Sequence, residues 1–425
     1  MLFAPAAFNL AETSRMIEIA KGVRADPVAR EAFSVRFISE GGDFEELIES
    51  NGFEVERVAP RLTPEKIAHV LAVNDEEKFA PAYSKKEMIA KVAGDLAAVD
   101  RLKPDVVVTG SYLSMPLTCR LRGIPLVWAV QSTWLPDFFA TGAGTTDTVK
   151  PRWFKRLVDA VLYPVFRSWM WFGFIHSVNQ AAGHYGAKTF SPVLTFFQGD
   201  TTLVAEPPGF SDVALPDAHF PIGALLPEQQ FTMPVEVEQI PNDFPLVYFA
   251  MGSSGVGHIV KELIESFRGK PYRVVAPVRS LLAGQDVAVP DNVTVTDWLP
   301  ALEMNKRADI ALIHGGIGTV LTAALAGKPV VGIGMQPEQV ANISCLVEKG
   351  FARRVAKSRN SRKMVAAVHD ALSTLLSDED ARRAAVEYAA SIQDWADGST
   401  RAARTLVDRY GSTRGDIPRS ARNGR

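Results

Sequence analysis

The residues best suited to chemistry lie in a glycine-rich turn in the second half of the chain. His314 ends an apolar stretch, and Gly315, Gly316, Gly318 and Thr319 follow it and open a predicted helix. Such a turn leaves backbone N–H groups free at a helix N-terminus, where the helix dipole favours negative charge. The imidazole and the threonine hydroxyl can add hydrogen bonds to phosphate oxygens. The pattern predicts an anion site suited to a diphosphate; the alternative is that the glycines only tighten the turn.

A second glycine-rich turn follows the apolar stretch 246–250. It places Ser253 and Ser254 between glycines and predicts another loop that approaches a phosphate. A nucleoside triphosphate loop would need Lys and then Ser or Thr after Gly257, but His258 stands there. The first predicted strand is not followed by G-x-G-x-x-G, which argues against a nicotinamide dinucleotide site.

Short apolar stretches alternate with amphipathic helical stretches along the chain. This alternation predicts parallel sheets covered by helices on both faces. The predicted strands are 2–5, 33–38, 53–58, 105–109, 125–130, 194–205 and 218–226 in the first half, and 246–250, 272–277, 293–296, 310–313 and 330–333 in the second. We therefore expect two doubly wound α/β domains of similar size, with ligands at the carboxyl ends of the strands and an active site in the cleft between the domains.

Changes in composition divide the chain into five segments. The first domain is expected over 1–226, and the proline-rich stretch 227–245, which has no helical period, is the expected linker. The second domain is expected over 246–395 and a last helix within 396–411. The polar and basic residues 412–425 are predicted to be a disordered tail.

The overall composition excludes several classes of function. The 425 residues include 46 Lys and Arg and 48 Asp and Glu, and the net charge of −2 gives no reason to expect a nucleic-acid partner. The two cysteines, Cys119 and Cys345, cannot by themselves form a disulfide framework or a zinc site, so we expect a reducing compartment, the cytoplasm. The histidines and carboxylates show no metal-ligand spacing. We expect no signal segment, and no membrane span is predicted because no apolar stretch reaches about 18 residues.

Four motifs carry a resemblance to a known family. They are W-x-P at 298–300, H-G-G-x-G-T at 314–319, G-K-P at 327–329 and P-x-Q-x-x-N at 337–342. Their order and spacing resemble the donor-binding signature of family 1 of the nucleotide-sugar-dependent glycosyltransferases, which have the GT-B fold. The resemblance covers both domains in layout, with its specific motifs in 246–351. It implies two Rossmann-like domains facing a central cleft, a nucleotide sugar held by the second domain, a last helix crossing back to the first domain, and inverting hexose transfer without a metal or other cofactor.

The resemblance also implies roles for residues of the second domain. The donor base would stack on Trp298, the diphosphate would be held by Ser253, Ser254, His314, Gly316, Gly318 and Thr319, and the sugar hydroxyls would be bound by Glu338, Gln339 and Asn342. Taken alone, a tryptophan is more often a core residue and a loop glutamate more often a solvated charge. Their shared context favours the binding roles.

Three positions depart from the family pattern. Thr322 stands where the family often has a Glu that binds the ribose hydroxyls, which favours tolerance of, or preference for, a thymidine diphosphate sugar. No His precedes the first helix, and Glu12 lies at about the position of the family's catalytic His. Gly110 and Ser111 replace the Asp that orients this His. A carboxylate of raised pKa can act as a general base, so Glu12 is the candidate base; the alternatives are an acid that only stabilises the helix N-terminus and a chain that has lost activity.

Aromatic residues of the first domain indicate an apolar acceptor. The stretch 150–175 interleaves Arg and Lys with Trp, Phe and Tyr. Three interpretations compete: it walls the acceptor pocket, it lies at a membrane interface and reaches a lipid acceptor, or it packs as ordinary core. Together with aromatic residues after the first-domain strands, it gives a predicted acceptor pocket that includes Tyr112, Trp134, Phe138 and Trp169.

The leading prediction is an inverting glycosyltransferase that moves a hexose from a UDP- or dTDP-sugar to a hydroxyl of a small hydrophobic acceptor, either a natural product or a lipid. Peripheral contact with the inner face of the membrane belongs to the lipid alternative. Two other functions stay open: a catalytically degenerate GT-B protein that binds a sugar nucleotide or a hydrophobic ligand, and a GT-B sugar-nucleotide epimerase. No nucleic-acid partner is expected, and the expected state is a monomer or a homodimer.

Overall fold

The chain forms two compact α/β units. The computed structural model describes residues 1–74, 78–135, 138, 153–154, 157–158, 171–191, 196–227, 232–252, 257–358 and 360–411. One unit contains residues 1–227 and those from Asp397 onward, and the other contains residues 228–396. None of the described helices is both long enough and apolar enough to cross a membrane.

The first unit is built around a parallel sheet. Its described strands are β1 Leu2–Ala4, β2 Arg36–Ser39, β3 Val55–Arg57, β4 Val107–Thr109, β5 Leu126–Val130, β6 Thr201–Val204 and β7 His219–Pro221. They pair in the order β3-β2-β1-β4-β5-β6-β7, all parallel. The strands at the centre of the sheet are buried along their whole length, which explains why their sequences are continuous apolar runs rather than alternating ones.

Helices cover this sheet. Those described in the first part of the chain are α1 Leu10–Ala25, α2 Pro27–Ala32, α3 Glu45–Ser50, α4 Pro64–Asn74, α5 Lys85–Leu102, α6 Met115–Arg122 and α7 His176–His184. Side-chain caps fix where two of them begin. Asn9 accepts a hydrogen bond from the Glu12 N–H at the start of α1, and Ser84 and Glu87 form a capping box on α5.

The second unit repeats the plan of the first. Its described strands are β8 Leu246–Ala250, β9 Arg273–Ala276, β10 Val293–Val295, β11 Ile310–Ile313, β12 Val330–Gly332 and β13 Ala352–Arg354. They form a parallel sheet in the order β10-β9-β8-β11-β12-β13. The described helices are α8 Val235–Glu238, α9 Gly257–Ser266, α10 Arg279–Leu282, α11 Ala301–Arg307, α12 Ile317–Leu325, α13 Pro337–Glu348, α14 Ser361–Ser377 and α15 Glu379–Ile392.

A last helix, α16 Gly398–Tyr410, belongs to the first unit, where it packs against α1. The contact is close because Gly22 has no side chain: a Cβ there would lie 2.1 Å from the Ser399 carbonyl oxygen. The Gly398 N–H donates to the Ala224 carbonyl at 2.9 Å. At the other end of the helix, the Tyr410 hydroxyl lies 2.8 Å from Thr201 Oγ1.

The predicted fold class is confirmed: both units are parallel α/β sheets of the doubly wound type. In each sheet the strand order reverses next to the first strand of the unit, between β1 and β4 and between β8 and β11. Ligands of such sheets bind outside the carboxyl ends of the strands at this switch point. The two sites described below lie at these two places.

Some predicted elements need correction. The strand expected over 194–205 is confined to Thr201–Val204 among the described residues, and β13 was not predicted because an exposed edge strand of sequence Ala-Arg-Arg lacks an apolar run. The linker expected over 227–245 stays a prediction; this stretch contains the one-turn helix α8, where the Val237 carbonyl accepts a hydrogen bond from Arg307 Nη1 at 2.5 Å. The expected tail, 412–425, lies outside the described residues.

Candidate active site

The carboxyl group of Glu12 lies at the switch point of the first sheet. Glu12 is in the first turn of α1, which the five-residue connection after β1 brings to the carboxyl end of that strand. Its Oε1 accepts hydrogen bonds from the Ser111 N–H at 2.7 Å and from the Ala6 N–H at 3.1 Å. The side chain therefore bridges the turns that follow β1 and β4.

Gly110 makes room for this carboxyl group. A Cβ at residue 110 would lie 3.1 Å from Glu12 Oε1 and 3.2 Å from the Ala129 carbonyl oxygen, both tight contacts. This is the place where the family resemblance leads one to expect an Asp. A side chain at residue 110 would require its neighbours to shift by a few tenths of an ångström, so the glycine after β4 favours the close approach of the Glu12 carboxyl group.

The environment of Glu12 raises the pKa of its carboxyl group. The residue is 4% exposed, and Oε2 is buried without a hydrogen-bond partner. Burial raises its pKa from 4.5 to about 7, while the backbone N–H groups of Ala6 and Ser111 and the charge of Arg15 act in the opposite direction. A carboxyl group that titrates near pH 7 and has one oxygen without a partner is suited to accept a proton.

A second buried acid, Glu206, lies at the same edge of the sheet, and the sequence analysis missed it. It follows β6 by two residues and is 3% exposed. Its Oε2 accepts from the Ser132 N–H at 3.2 Å, and its Oε1 lies 3.3 Å from Ser211 Oγ. Burial raises its pKa to about 7, and Ser132, Ser211 and Arg15 oppose this shift. The available signal was a glutamate placed directly after an apolar strand.

In the second unit, His314 lies at the end of β11 and is packed between two glycine positions. A Cβ at Gly252, which has a positive φ of 58°, would lie 2.5 Å from His314 Cε1. A Cβ at Gly316 would lie 2.6 Å from His314 Nε2. These glycines thus hold the ring in place, and Nε2 faces the start of α12. Glycine is required at both positions because any Cβ there would clash with the imidazole ring.

His314 is neutral at physiological pH. Burial lowers its pKa from 6.5 to about 4, because the ring is 6% exposed and its closest backbone acceptor, the Ala250 carbonyl, lies 3.3 Å from Nδ1. A contact of this length constrains the proton weakly. Because a carbonyl oxygen can only accept, the neutral ring donates from Nδ1 in this contact and leaves Nε2, which faces the start of α12, as an acceptor.

The N-terminus of α12 offers uncapped backbone N–H groups. Gly316 is the N-cap residue and provides no side chain to cap the helix. The Thr319 hydroxyl, predicted to bind the diphosphate, donates to the Gly316 carbonyl at 2.8 Å. A Cβ at Gly318 would meet no protein atom within 4 Å. Gly318 therefore has open space beside it, and the N–H groups of this turn remain available for an anion.

The residues predicted to bind the donor sugar lie on α13. Asn342 is fully buried and donates from Nδ2 to the Gly315 carbonyl at 3.1 Å. Gln339 is 4% exposed; its Oε1 accepts from the Met335 N–H at 2.9 Å. These two side chains brace the turns on either side of them, whereas Glu338 is half-buried at the first turn of the helix.

Trp298 and Thr322 differ sharply in exposure. Trp298 is 64% exposed, as a platform for a base requires, whereas Thr322 is 5% exposed. The Thr322 hydroxyl contacts the Gly318 and Thr319 carbonyls of its own helix at 2.9 and 3.0 Å and lies 3.3 Å from the Asn305 amide nitrogen. This hydroxyl is engaged inside the unit.

The predicted acceptor residues are mostly buried in the first unit. Tyr112 and Phe138 are each 1% exposed, and the Tyr112 hydroxyl donates to Asp95 at 2.9 Å. The ring of Trp134 is half-buried, 5.6 Å from that of Phe197. The predicted residues Trp169, Ser253 and Ser254 lie outside the described residues, as does most of the stretch 150–175.

Comparison with known proteins gives consistent matches along the chain. Residues 274–395 match the family of the erythromycin biosynthesis protein CIII-like C-terminal domain. The chain is 28% identical over 312 residues to a PGL/p-HBAD biosynthesis glycosyltransferase of Mycobacterium tuberculosis (strain ATCC 25177 / H37Ra), and the match covers 72% of each chain.

Two solved structures resemble the whole chain. The calicheamicin glycosyltransferase matches with a TM-score of 0.66 and 18% identity, covering 98% of both chains. The spinosyn rhamnosyltransferase complexed with thymidine diphosphate matches with a TM-score of 0.64 and 13% identity, covering 96% of this chain and 98% of that one. These likenesses establish the GT-B fold. Together with the family match and the curated relative, they show that the chain is a glycosyltransferase similar to those of family 1.

Proposed function

We propose that this glycosyltransferase moves a hexose from a nucleoside diphosphate sugar to a hydroxyl of a small hydrophobic acceptor, with inversion at the anomeric carbon and without a metal. The observation that carries the proposal is the hydrogen bonding and burial of the Glu12 carboxyl group. One carboxylate oxygen is held by the Ser111 and Ala6 N–H groups, and the other is buried without a partner. The raised pKa, about 7, suits a general base.

In this mechanism Glu12 takes the proton of the acceptor hydroxyl. The acceptor oxygen attacks the anomeric carbon as the bond from that carbon to the diphosphate oxygen breaks. A single displacement of this kind inverts the configuration. The N–H groups at the start of α12, beside the His314 ring, stabilise the charge that develops on the leaving diphosphate. The nucleobase stacks on Trp298, and the sugar lies near Glu338 at the start of α13.

The donor is, in this proposal, a thymidine diphosphate sugar in preference to a UDP-sugar. Binding of a ribose 2′,3′-diol is strongest when a carboxylate accepts from both hydroxyls. The corresponding position is Thr322, and its hydroxyl is engaged with the Gly318 and Thr319 carbonyls. The presence of thymidine diphosphate in the spinosyn rhamnosyltransferase supports this choice, since that protein shares the fold.

A hydrophobic acceptor is supported by two observations. The half-buried ring of Trp134 follows β5 at the carboxyl edge of the first sheet, the edge that also carries Glu12. The names of the similar proteins also point to such acceptors: one acts in PGL/p-HBAD biosynthesis, and the other is a spinosyn rhamnosyltransferase.

The test is a transfer assay with a defined panel of donors and acceptors. The purified chain is incubated with paired dTDP- and UDP-sugars and pooled hydroxylated polyketide, phenolic and lipid acceptors, and products are identified by mass spectrometry. We expect a mass increase of one hexosyl or deoxyhexosyl unit, larger with dTDP donors. Strict UDP preference would contradict the donor proposal. Donor binding without transfer or hydrolysis would support a degenerate binding protein, and release of an epimerised sugar nucleotide would support an epimerase.

A further inference from the structure

The positive charge of Arg15 acts on both Glu12 and Glu206, two of the buried acids of the first unit. Arg15 is three residues after Glu12 on α1, so the two side chains share a face of the helix. Its Nη1 donates to the Ala129 carbonyl at 3.0 Å. That carbonyl oxygen and Glu12 Oε1 both lie within 3.2 Å of the point where a Cβ of Gly110 would be. The Ala129 carbonyl that binds Arg15 and the Glu12 carboxyl group therefore lie beside the same small space next to Gly110.

Glu206 is bound to the segment that follows the Ala129 anchor. It is held by the N–H of Ser132, three residues after Ala129, at 3.2 Å. Ser211 Oγ, 2.7 Å from Ser132 Oγ and 3.3 Å from Glu206 Oε1, fixes the other oxygen of the carboxyl group. The positive charge of Arg15 lowers the pKa of both acids against the effect of burial. One cation thus serves two carboxyl groups.

We infer that Glu12, Arg15 and Glu206 form one charge group at the carboxyl edge of the first sheet, in which Arg15 is the positioning residue for the Glu12 carboxylate and Glu206 competes for Arg15. The inference rests on the proposed role of Glu12 only as far as its effect on turnover is concerned. With one proton shared between two carboxyl groups, the group is electrically neutral, and neutrality is the favoured state in a buried site. Ionisation of Glu206 therefore weakens the hold of Arg15 on an ionised Glu12.

Other charged side chains on neighbouring elements have partners of their own. They pair as Glu18 with Lys21, Asp26 with Arg404, Glu40 with Lys91, and Glu45 with both Arg57 and Arg61. A variant of Arg15 or Glu206 therefore changes the charge around Glu12 in a defined way. Removing Arg15 takes away an attraction, and removing Glu206 takes away a repulsion.

The experiment titrates the carboxyl group of Glu12 directly. The full chain is labelled with ¹³Cδ-glutamate, the Glu12 signal is assigned by its loss in Glu12→Gln, and spectra are recorded from pH 4 to pH 10. We expect Arg15→Met to raise the midpoint of Glu12 by about one pH unit and Glu206→Gln to lower it by about one unit. Arg15→Lys keeps the charge and should stay close to the parent. Arg24→Met, a change of the same type near the end of α1, should leave the midpoint unchanged.

Opposite shifts separate this inference from a structural role. If Arg15 and Glu206 only stabilise the fold, both variants lower the melting temperature and move the Glu12 midpoint alike or not at all, and the inference is overturned. Glu206→Gln keeps the size of the side chain and Arg15→Lys keeps its charge, so the test survives if Arg15→Met fails to fold. The titration does not depend on turnover. If the titration midpoints shift as expected but the midpoint of the kcat/KM profile does not shift with them, the charge group is supported and the assignment of Glu12 as base is wrong.

Discussion

The two sheets have the same strand order but opposite chemistry at their switch points. In the first unit, the edge carries Glu12 and Glu206, buried acids whose pKa values are raised to about 7. In the second, it carries His314, whose pKa is lowered to about 4, and the uncapped start of α12. The first edge is therefore suited to receive a proton, and the second to hold an anion with uncharged donors. The comparison explains how a chain of nearly balanced charge can bind a diphosphate.

Glycine has the same use at both edges. Gly110 leaves the space that the Glu12 carboxyl group fills, and Gly252 and Gly316 leave the space that the His314 ring fills. In each case the missing side chain fixes a functional group instead of merely allowing a turn. The functional groups differ, but each lies against a glycine backbone at a distance that would leave little or no room for a Cβ.

The largest expected effect comes from removing the base of the first edge. Glu12→Gln should lower kcat by about 10²- to 10⁴-fold, because a general base contributes about that much. The affinity for the donor, measured by calorimetry, should stay within about twofold, since the donor is assigned to the second unit. Glu18→Gln, another acid on α1, serves as the matched control.

Two outcomes would contradict this assignment. Full turnover by Glu12→Gln would remove Glu12 from the mechanism. A loss of donor affinity equal to the loss of kcat would show that the two edges do not have separate roles.

The second edge can be tested with a pair of neighbouring glycines. Gly316→Ala places a Cβ 2.6 Å from His314 Nε2 and should displace the ring, with a loss of donor affinity of about tenfold. Gly318→Ala meets no protein atom, so the fold should be retained and α12 stabilised by up to about 1 kcal/mol. Thermal melts and donor titrations distinguish the two variants.

Gly318→Ala also separates two interpretations of the glycine-rich turn. A loss of donor affinity without a loss of melting temperature would show that the ligand itself needs the space beside Gly318. Unchanged affinity in both variants would mean that these glycines serve only the turn, and that the diphosphate is held elsewhere.

Glu206 should make the stability of the first unit depend on pH. Its folded pKa, about 7, is higher than its ordinary 4.5, so the folded state binds this proton more tightly than the unfolded state. The contribution of this proton to the free energy of unfolding is fully present below pH 4.5 and is lost as the pH rises through about 7. Because Gln stays neutral, Glu206→Gln should gain about 2 kcal/mol relative to the parent between pH 5 and pH 8. Urea unfolding at pH 5 and at pH 8 measures the free energies of unfolding of the variant and the parent. If the variant differs from the parent by the same amount at both pH values, the prediction is wrong.

The smallest expected effect is the response of donor binding to pH. His314 is already neutral above pH 5, since burial lowers its pKa to about 4. The affinity for a nucleotide sugar, whose diphosphate does not titrate in this range, should change by less than about twofold between pH 6 and pH 8.5. A tenfold fall per pH unit would instead show that His314 binds the diphosphate as a cation.

The sequence was sufficient for the fold and for the helix N-terminus that follows His314. Long apolar runs such as 246–250 and 310–313 predict buried parallel strands because burial on both faces removes the alternation. The motif around His314 predicts a helix N-terminus because its glycines directly follow such a strand. Local signals of this kind act over a few residues, and the structure retains them.

The charge group of the first unit could not be predicted in the same way. Glu12 and Glu206 are separated by nearly the whole first unit in sequence, and Arg15 reaches the Ala129 carbonyl across 114 positions. What brings them together is the strand order, which places the ends of β1, β4, β5 and β6 along one edge. The close approach of Glu12 to Gly110 has the same origin. Contacts between distant segments leave no periodicity in the sequence.

The central claim, that the first edge removes the proton and the second holds the anion, is tested most directly by the pH profile of kcat/KM for the acceptor at saturating donor. Glu12 must be ionised to act, and its pKa is raised to about 7. The value should therefore rise about tenfold per pH unit below this midpoint and level off above it. A profile that is flat from pH 5.5 to pH 8.5, or that falls as the pH rises, would contradict the account.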